Sequence, residues 1–160
     1  PCFMLGPYDT KLSSCRLIVD VVRGRIPGYP PGILNFVDVR DVARGMVLAA
    51  QRGRRGERYI LGGVNLDYRE IFARISAITG SKPIDRPMSA WLGRLVAMIG
   101  DLKENLLGGE SLLNSTGVAM TFAQCRYSSV KAVDELGYQI SDIDGAIRDA
   151  YDWFVRNNYL

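Results

Sequence analysis

Asn35-Phe36-Val37-Asp38-Val39-Arg40-Asp41-Val42-Ala43 begins with the alternation of a strand and passes without a break into helical spacing. Val42, Met46, Ala49 and Ala50 then share one helical face, which is expected to meet the core, and Gly53 ends the helix. A strand that feeds directly into a helix belongs to an α/β sheet, so further strands and helices should lie on either side. Upstream, residues 2–5 form a short apolar run closed by Gly6-Pro7, suited to a buried strand ending in a turn. A helix follows over about 14–23, with Leu17, Ile18, Val21 and Val22 on one face and Gly24 as its stop. Pro27-Gly28-Tyr29-Pro30-Pro31-Gly32 can only be a loop. Downstream, Arg58-Tyr59-Ile60-Leu61 reads as another buried strand stopped by Gly62-Gly63. Asp67-x-x-Glu70 is a capping box that opens a helix with Ile71, Ile75 and Ile78 on its core face, Phe72 beside them, and Gly80 as its cap.

The second half is mostly helical. Trp91, Leu92, Leu95, Val96 and Ile99 make a wide apolar stripe, and a weaker helix is expected near 111–119 after Gly108-Gly109. Ser128 or Ser129 can cap a short helix ending at Gly137, and Asp142 caps a last one with Ile143, Ala146, Ile147, Ala150 and Phe154 at helical spacing. The pattern is an α/β body followed by an α-rich appendage.

Composition narrows the chemistry. The 160 residues contain no histidine, which removes imidazole bases, Ser-His-Asp and Cys-His machinery and His-ligated metals; no metal site is expected. The net charge is +3, and the densest basic run, Arg52, Arg54, Arg55 and Arg58, has no interleaved aromatic residue. It reads as positive charge at the C-terminal, negative dipole pole of a helix, and nucleic acid is not an expected partner. Cys2, Cys15 and Cys125 are odd in number and form no Cys-x-x-Cys pair, which fits reduced thiols in a cytoplasmic protein. No segment reaches the roughly 20 apolar residues of a membrane span. The opening Pro1-Cys2-Phe3-Met4-Leu5-Gly6-Pro7 reads like the interior of a larger sheet, so the chain is expected to be part of a longer protein.

Four ordered segments together carry a resemblance. They are Pro1-x-x-x-x-Gly6-Pro7-x-Asp9, Phe36 to Ala43, Gly56-Glu57-Arg58-Tyr59-Ile60-Leu61-Gly62-Gly63, and Tyr127-Ser128-Ser129-Val130-Lys131-Ala132 with Glu135-Leu136-Gly137-Tyr138. The chain resembles the C-terminal half of an extended short-chain dehydrogenase/reductase, in the NAD-dependent epimerase/dehydratase superfamily. Within it the likeness is to dihydroflavonol-4-reductase-like and hopanoid-associated sugar epimerase proteins. The resemblance implies the last parallel strands of a Rossmann-type NAD(P)-binding fold with a mostly helical substrate-binding subdomain. Residues 1–63 would finish the sheet, interleaved with substrate-domain elements, and 64–160 would be mainly the subdomain. The glycine-rich phosphate loop and the catalytic Tyr-x-x-x-Lys of the family would lie upstream, so no catalytic residue is assigned here.

By the same resemblance NAD or NADP, held mainly by the other half, would meet Pro1, Phe3, Ser13 and Ser14. A small-molecule substrate would face Gly6, Pro7, Asp9, Asn35, Phe36 and Trp91. A homodimer of the full-length protein and self-association of the isolated half are both compatible with it. Nucleotide-sugar members place an arginine where this chain has Leu34, and a Pro-x-Arg-x-Gly-Asp segment where it has Met120-Thr121-Phe122-Ala123-Gln124-Cys125. Both phosphate clamps are therefore missing, which favours hydride transfer at a carbonyl or hydroxyl carbon of a non-nucleotide substrate. The alternatives are a nucleotide-sugar epimerase or dehydratase, a non-catalytic NAD(P) sensor that binds a partner, and a self-contained interaction domain.

Three further features have plainer readings. Tyr127-x-x-x-Lys131 matches the catalytic spacing but falls where the family has a structural segment, so Lys131 is expected on a solvated face. Asp38 and Asp41 could act as an acid–base pair, yet at a helix start they suit the positive dipole end. Trp91, Leu95 and Met98 fit an apolar pocket or an ordinary amphipathic helix equally well.

Overall fold

A computed structural model describes residues 2–88 and 121–160. The expectations for Pro1, Trp91 with its neighbours, and a helix near 111–119 lie outside the described residues. The elements are β1 (Phe3–Leu5), α1 (Arg16–Val22), β2 (Ile33–Asp38), α2 (Val39–Arg52), β3 (Val64–Asp67), α3 (Tyr68–Thr79), α4 (Val130–Leu136) and α5 (Ile143–Arg156). The sheet runs β1-β2-β3. β1 pairs parallel to β2, with Phe3 opposite Phe36, and β3 pairs antiparallel, with Val64 opposite Phe36. No helix among the described residues is long and apolar enough to cross a membrane.

Both faces of the sheet are covered. Leu5, Phe36 and Leu66 belong to a core shared with α1, α3 and α5, which contribute Ile18 and Val19, Ile71 and Ile75, and Ile147 and Phe154. Val37 belongs to a second, smaller cluster with Val42, Leu61, Ala132, Leu136 and Tyr138. Adjacent residues of β2 thus enter different cores, as period-two geometry requires.

Local signals set the helix ends. Asp67 accepts from the Glu70 amide at 2.7 Å while Glu70 Oε2 accepts from the Asp67 amide at 3.0 Å, completing the capping box of α3. Gly80 and Gly137 end α3 and α4 in the left-handed region. Asp142 caps α5, whose buried residues are the five expected from spacing. At the end of α2, Arg52 donates to the Leu136 carbonyl at 3.0 Å and Arg54 grips the Glu135 carboxylate, so much of the basic run is used in tying α2 to α4.

Two expectations are corrected. Residues 58–61 form no strand; the strand begins at Val64. Side chains take the backbone groups that a ladder would have used. Lys131 donates to the Arg58 carbonyl, Ser129 Oγ accepts from the Gly62 amide, and Asn35 Oδ1 accepts from the Gly63 amide. The core face of α2 is also rotated from the expected one. Asp41, Val42 and Gly45 are buried, while Met46 is 64% exposed. A Cβ on Gly45 would stand 2.8 Å from Leu61 Cδ2 and 2.9 Å from Tyr138 Cε2, so the closest approach runs through Gly45 and turns Met46 outward.

Candidate functional site

β1 and β2 end side by side. The loop that leaves β1 and the first residue of α2 enclose a hollow of about 190 Å³ lined by Met4 to Asp9, Ser13 to Cys15 and Val39. Ligands of open α/β sheets bind at this carboxyl edge of parallel strands. Five residues singled out from sequence meet here: Gly6, Pro7, Asp9, Ser13 and Ser14. Gly6 has φ 154°, and a Cβ on it would lie 2.5 Å from Val39 Cγ1, so the turn out of β1 needs glycine.

Asp9 organises the loop from within. Its Oδ1 accepts from the Ser13 amide at 3.0 Å, its Oδ2 from the Cys15 amide at 3.0 Å, and the Ser13 hydroxyl reaches both oxygens. Cys15, 2% exposed, donates its thiol to the Gly6 carbonyl at 3.3 Å, and burial pushes that thiol up to about 12. The Ser13 hydroxyl is therefore taken up by Asp9, whereas the Ser14 hydroxyl has no hydrogen-bond partner among the described residues. The loop is also tied to the end of the chain, where the Tyr159 hydroxyl donates to the Thr10 carbonyl at 3.1 Å.

A second hollow, about 240 Å³, adjoins the first through Pro7 and Tyr8 and is lined by Arg40, Asp149, Asp152, Trp153 and Arg156. The Tyr8 ring, 76% exposed, meets Trp153 edge-on at 5.9 Å. Neither the Asp9 clamp nor the Tyr8–Trp153 contact was anticipated. The polar residues four apart ahead of a helix, Asp9 and Ser13, were the available signal for the clamp.

Phe3, Asn35 and Phe36 lie away from the hollow's lining. Phe36 is fully buried, with the Phe3 ring against it at 5.3 Å in an edge-on arrangement. Asn35 is 1% exposed and its amide is fully engaged. It donates to the Gly63 carbonyl at 3.2 Å and to Asn65 Oδ1 at 2.9 Å, and accepts from the Gly63 amide at 2.8 Å. Asn65 in turn exchanges hydrogen bonds with the backbone of Tyr127, so this network staples Gly63, Asn65 and Tyr127 to β2.

The Tyr127–Lys131 spacing does not place the two groups on one helix, because Tyr127 precedes α4. The Lys131 ammonium instead holds Glu57 at 2.5 Å and sits 4.8 Å above the Tyr59 ring. The Tyr127 phenol is pushed up, first by Cys125, which is opposite to what an activating lysine would do. In a polypeptide extended upstream to the length of the curated relatives, Tyr127→Phe should change any dinucleotide-dependent turnover by no more than about twofold, where loss of a true general acid costs a hundredfold or more. Steady-state kinetics of that variant decide the matter.

The two aspartates are structural. Asp38 caps α2 and pairs with Arg40, which bridges to Asp149 at 2.6 Å. Asp41, fully buried, accepts from the Ser141 amide at 2.7 Å and its hydroxyl at 2.8 Å, and pairs with Arg44. Among the described residues no cluster of three or more His, Cys, Asp or Glu could hold a metal ion.

No protein-family model matches the chain. It is 36% identical over 165 residues to a Synechocystis protein provisionally named dihydroflavonol 4-reductase, covering all of this chain and 48% of that protein. The chain spans about half the length of the curated relatives it matches. A crystal structure of a nucleoside-diphosphate-sugar epimerase from Pseudomonas aeruginosa is 32% identical with a TM-score of 0.80, covering all of this chain and 48% of that one. The Bordetella bronchiseptica enzyme WbmF, solved with NAD+, has a TM-score of 0.57 at 23% identity, covering 90% of this chain and 36% of that one; this is a likeness of fold.

Proposed function

We propose that this chain, which belongs to the NAD-dependent epimerase/dehydratase superfamily of extended short-chain dehydrogenases/reductases, supplies the substrate-binding part of an NAD(P)-dependent oxidoreductase. The reaction moves a hydride to or from a carbonyl or hydroxyl carbon of a non-nucleotide substrate. The hollow at the ends of β1 and β2 carries the reading. It lies at the sheet edge where such ligands bind, and among the described residues it offers the uncommitted hydroxyls of Ser14 and Tyr8 beside Gly6 and Pro7. The nicotinamide end of the dinucleotide fits there; when bound, the dinucleotide supplies or accepts the hydride. Ser14 would donate to or accept from its polar edge, and the apolar walls, Leu5 and Val39, would exclude water. Leu34, partly buried on the core side of β2, offers no charge to a substrate diphosphate.

A nucleotide-sugar epimerase is the second reading, favoured by the 32% identity to the Pseudomonas epimerase. The polypeptide extended upstream to the length of its relatives separates the two. Carbonyl-dependent oxidation of NADH or NADPH without turnover of UDP- or dTDP-sugars is expected, and sugar epimerisation without carbonyl reduction would reverse the choice. The 160 residues alone should bind the dinucleotide weakly, since no glycine-rich phosphate loop is among them. Calorimetric affinity in the micromolar range for this chain would contradict that division of labour.

A further inference from the structure

We infer that Asp9 is the positioning residue of this site: its carboxylate holds residues 6–15 in a strained, ligand-ready shape that sets Ser14 and Tyr8 at the hollow. The inference deepens the proposed function and rests on it for the identity of the ligand, though not for the clamp itself. Two non-glycine residues in this short loop have left-handed backbones, Tyr8 at φ 73° and Leu12 at φ 50°. Such conformations persist only where surrounding contacts over-determine them. The contacts are present and converge on one group. Asp9 gathers the Ser13 amide, the Ser13 hydroxyl and the Cys15 amide, and the Cys15 thiol closes the ring onto the Gly6 carbonyl. Both strained residues lie inside or beside the segment so closed.

Engagement of both carboxylate oxygens also changes the expected role of Asp9. A carboxylate already accepting from two amides and a hydroxyl is poorly placed to serve as the substrate's own partner. Its effect on a ligand must instead pass through the residues it fixes. Ser14 lies between two of them, and Tyr8 lies immediately before Asp9 and with Pro7 lines both hollows.

Cys15 provides a readout on this chain that needs no ligand. In the native protein it is buried, protonated and hydrogen-bonded, so iodoacetamide at pH 8 should label Cys2 and Cys125 well before it. Asp9→Ala should raise the Cys15 labelling rate roughly 10- to 100-fold, the factor that corresponds to losing hydrogen bonds to a charged acceptor. Asp9→Asn keeps one accepting oxygen and should restore most of the protection, a rescue that general loosening of the fold would not show. Circular dichroism melts identify any variant that has unfolded outright, and for such a variant the Asn substitution alone is read. In the upstream-extended polypeptide, Asp9→Ala should weaken NADH or NADPH binding at least fivefold, with Asp9→Asn between it and the parent. Unchanged Cys15 protection in a folded Asp9→Ala protein would overturn the clamp. Altered protection together with unchanged dinucleotide affinity would overturn its positioning role. A parent protein that binds no dinucleotide while the thiol result holds would count against the functional reading instead.

Discussion

Replacing Phe36 with alanine is expected to lower stability by about 3–5 kcal/mol, the range for truncating a fully buried aromatic residue. The ring is 0% exposed, lies at the centre of the sheet between Phe3 of β1 and Val64 of β3, and meets the Phe3 ring edge-on. Its removal therefore deletes apolar burial and one aromatic pair, and leaves a cavity in a layer built from all three strands. Equilibrium urea unfolding measures the loss as a lower midpoint at an unchanged slope. The same variant tests a functional question, because the family resemblance makes Phe36 a substrate-facing residue. If the ring contributes packing alone, ligand affinity per folded molecule should stay within about twofold of the parent. A stability loss under about 1 kcal/mol, together with a marked change in substrate affinity, would return Phe36 to the ligand site.

Why the surroundings of residues 35 and 36 could not be read from alternation alone follows from the architecture. Alternation along β2 tells which side chains share a face, but it does not tell which face is covered by what, and here both are covered. Phe36 enters the larger core and Val37 the smaller one, while Asn35 spends its amide on Gly63 and Asn65. The helices were more legible because their signals are local. The Asp67–Glu70 capping box, the left-handed Gly80 and Gly137, and the Ile143 to Phe154 spacing each depend on residues within a few turns of one helix. Expectations failed where a long-range contact replaced a local rule. Arg58 to Leu61 has strand composition, yet the backbone around it is partnered by side chains from β2 and from the region around α4. Met46 has the spacing of a core residue, yet the glycine before it sets the helix rotation. At the hollow, the Gly6-Pro7 turn was legible from composition, whereas the Asp9 clamp required knowing that the loop folds back onto its own carboxylate.

Gly6→Ala should cost about 2–6 kcal/mol, and the figure has two separable parts. One is conformational: at φ 154° a residue with a Cβ is strained by roughly 1–3 kcal/mol. The other is steric, since the new Cβ would stand 2.5 Å from Val39 Cγ1, and overpacking of that kind costs roughly 1–3 kcal/mol. Val39→Ala removes the offending methyl group and should by itself destabilise by about 1 kcal/mol, given that Val39 is only partly buried. In the double variant the steric part should vanish and the conformational part remain, so Gly6→Ala should cost about 1–3 kcal/mol less in the Val39→Ala background than beside the native valine. Thermal or urea unfolding of the four proteins gives that coupling directly. The turn also carries the carbonyl that receives the Cys15 thiol, so distortion at Gly6 should speed Cys15 alkylation even where the fold survives. Val39→Ala alone should leave Cys15 protected. Additive losses with no coupling would mean that the β1 turn yields without pressing on Val39, and the contact between that turn and the start of α2 would then contribute nothing to the shape of the hollow.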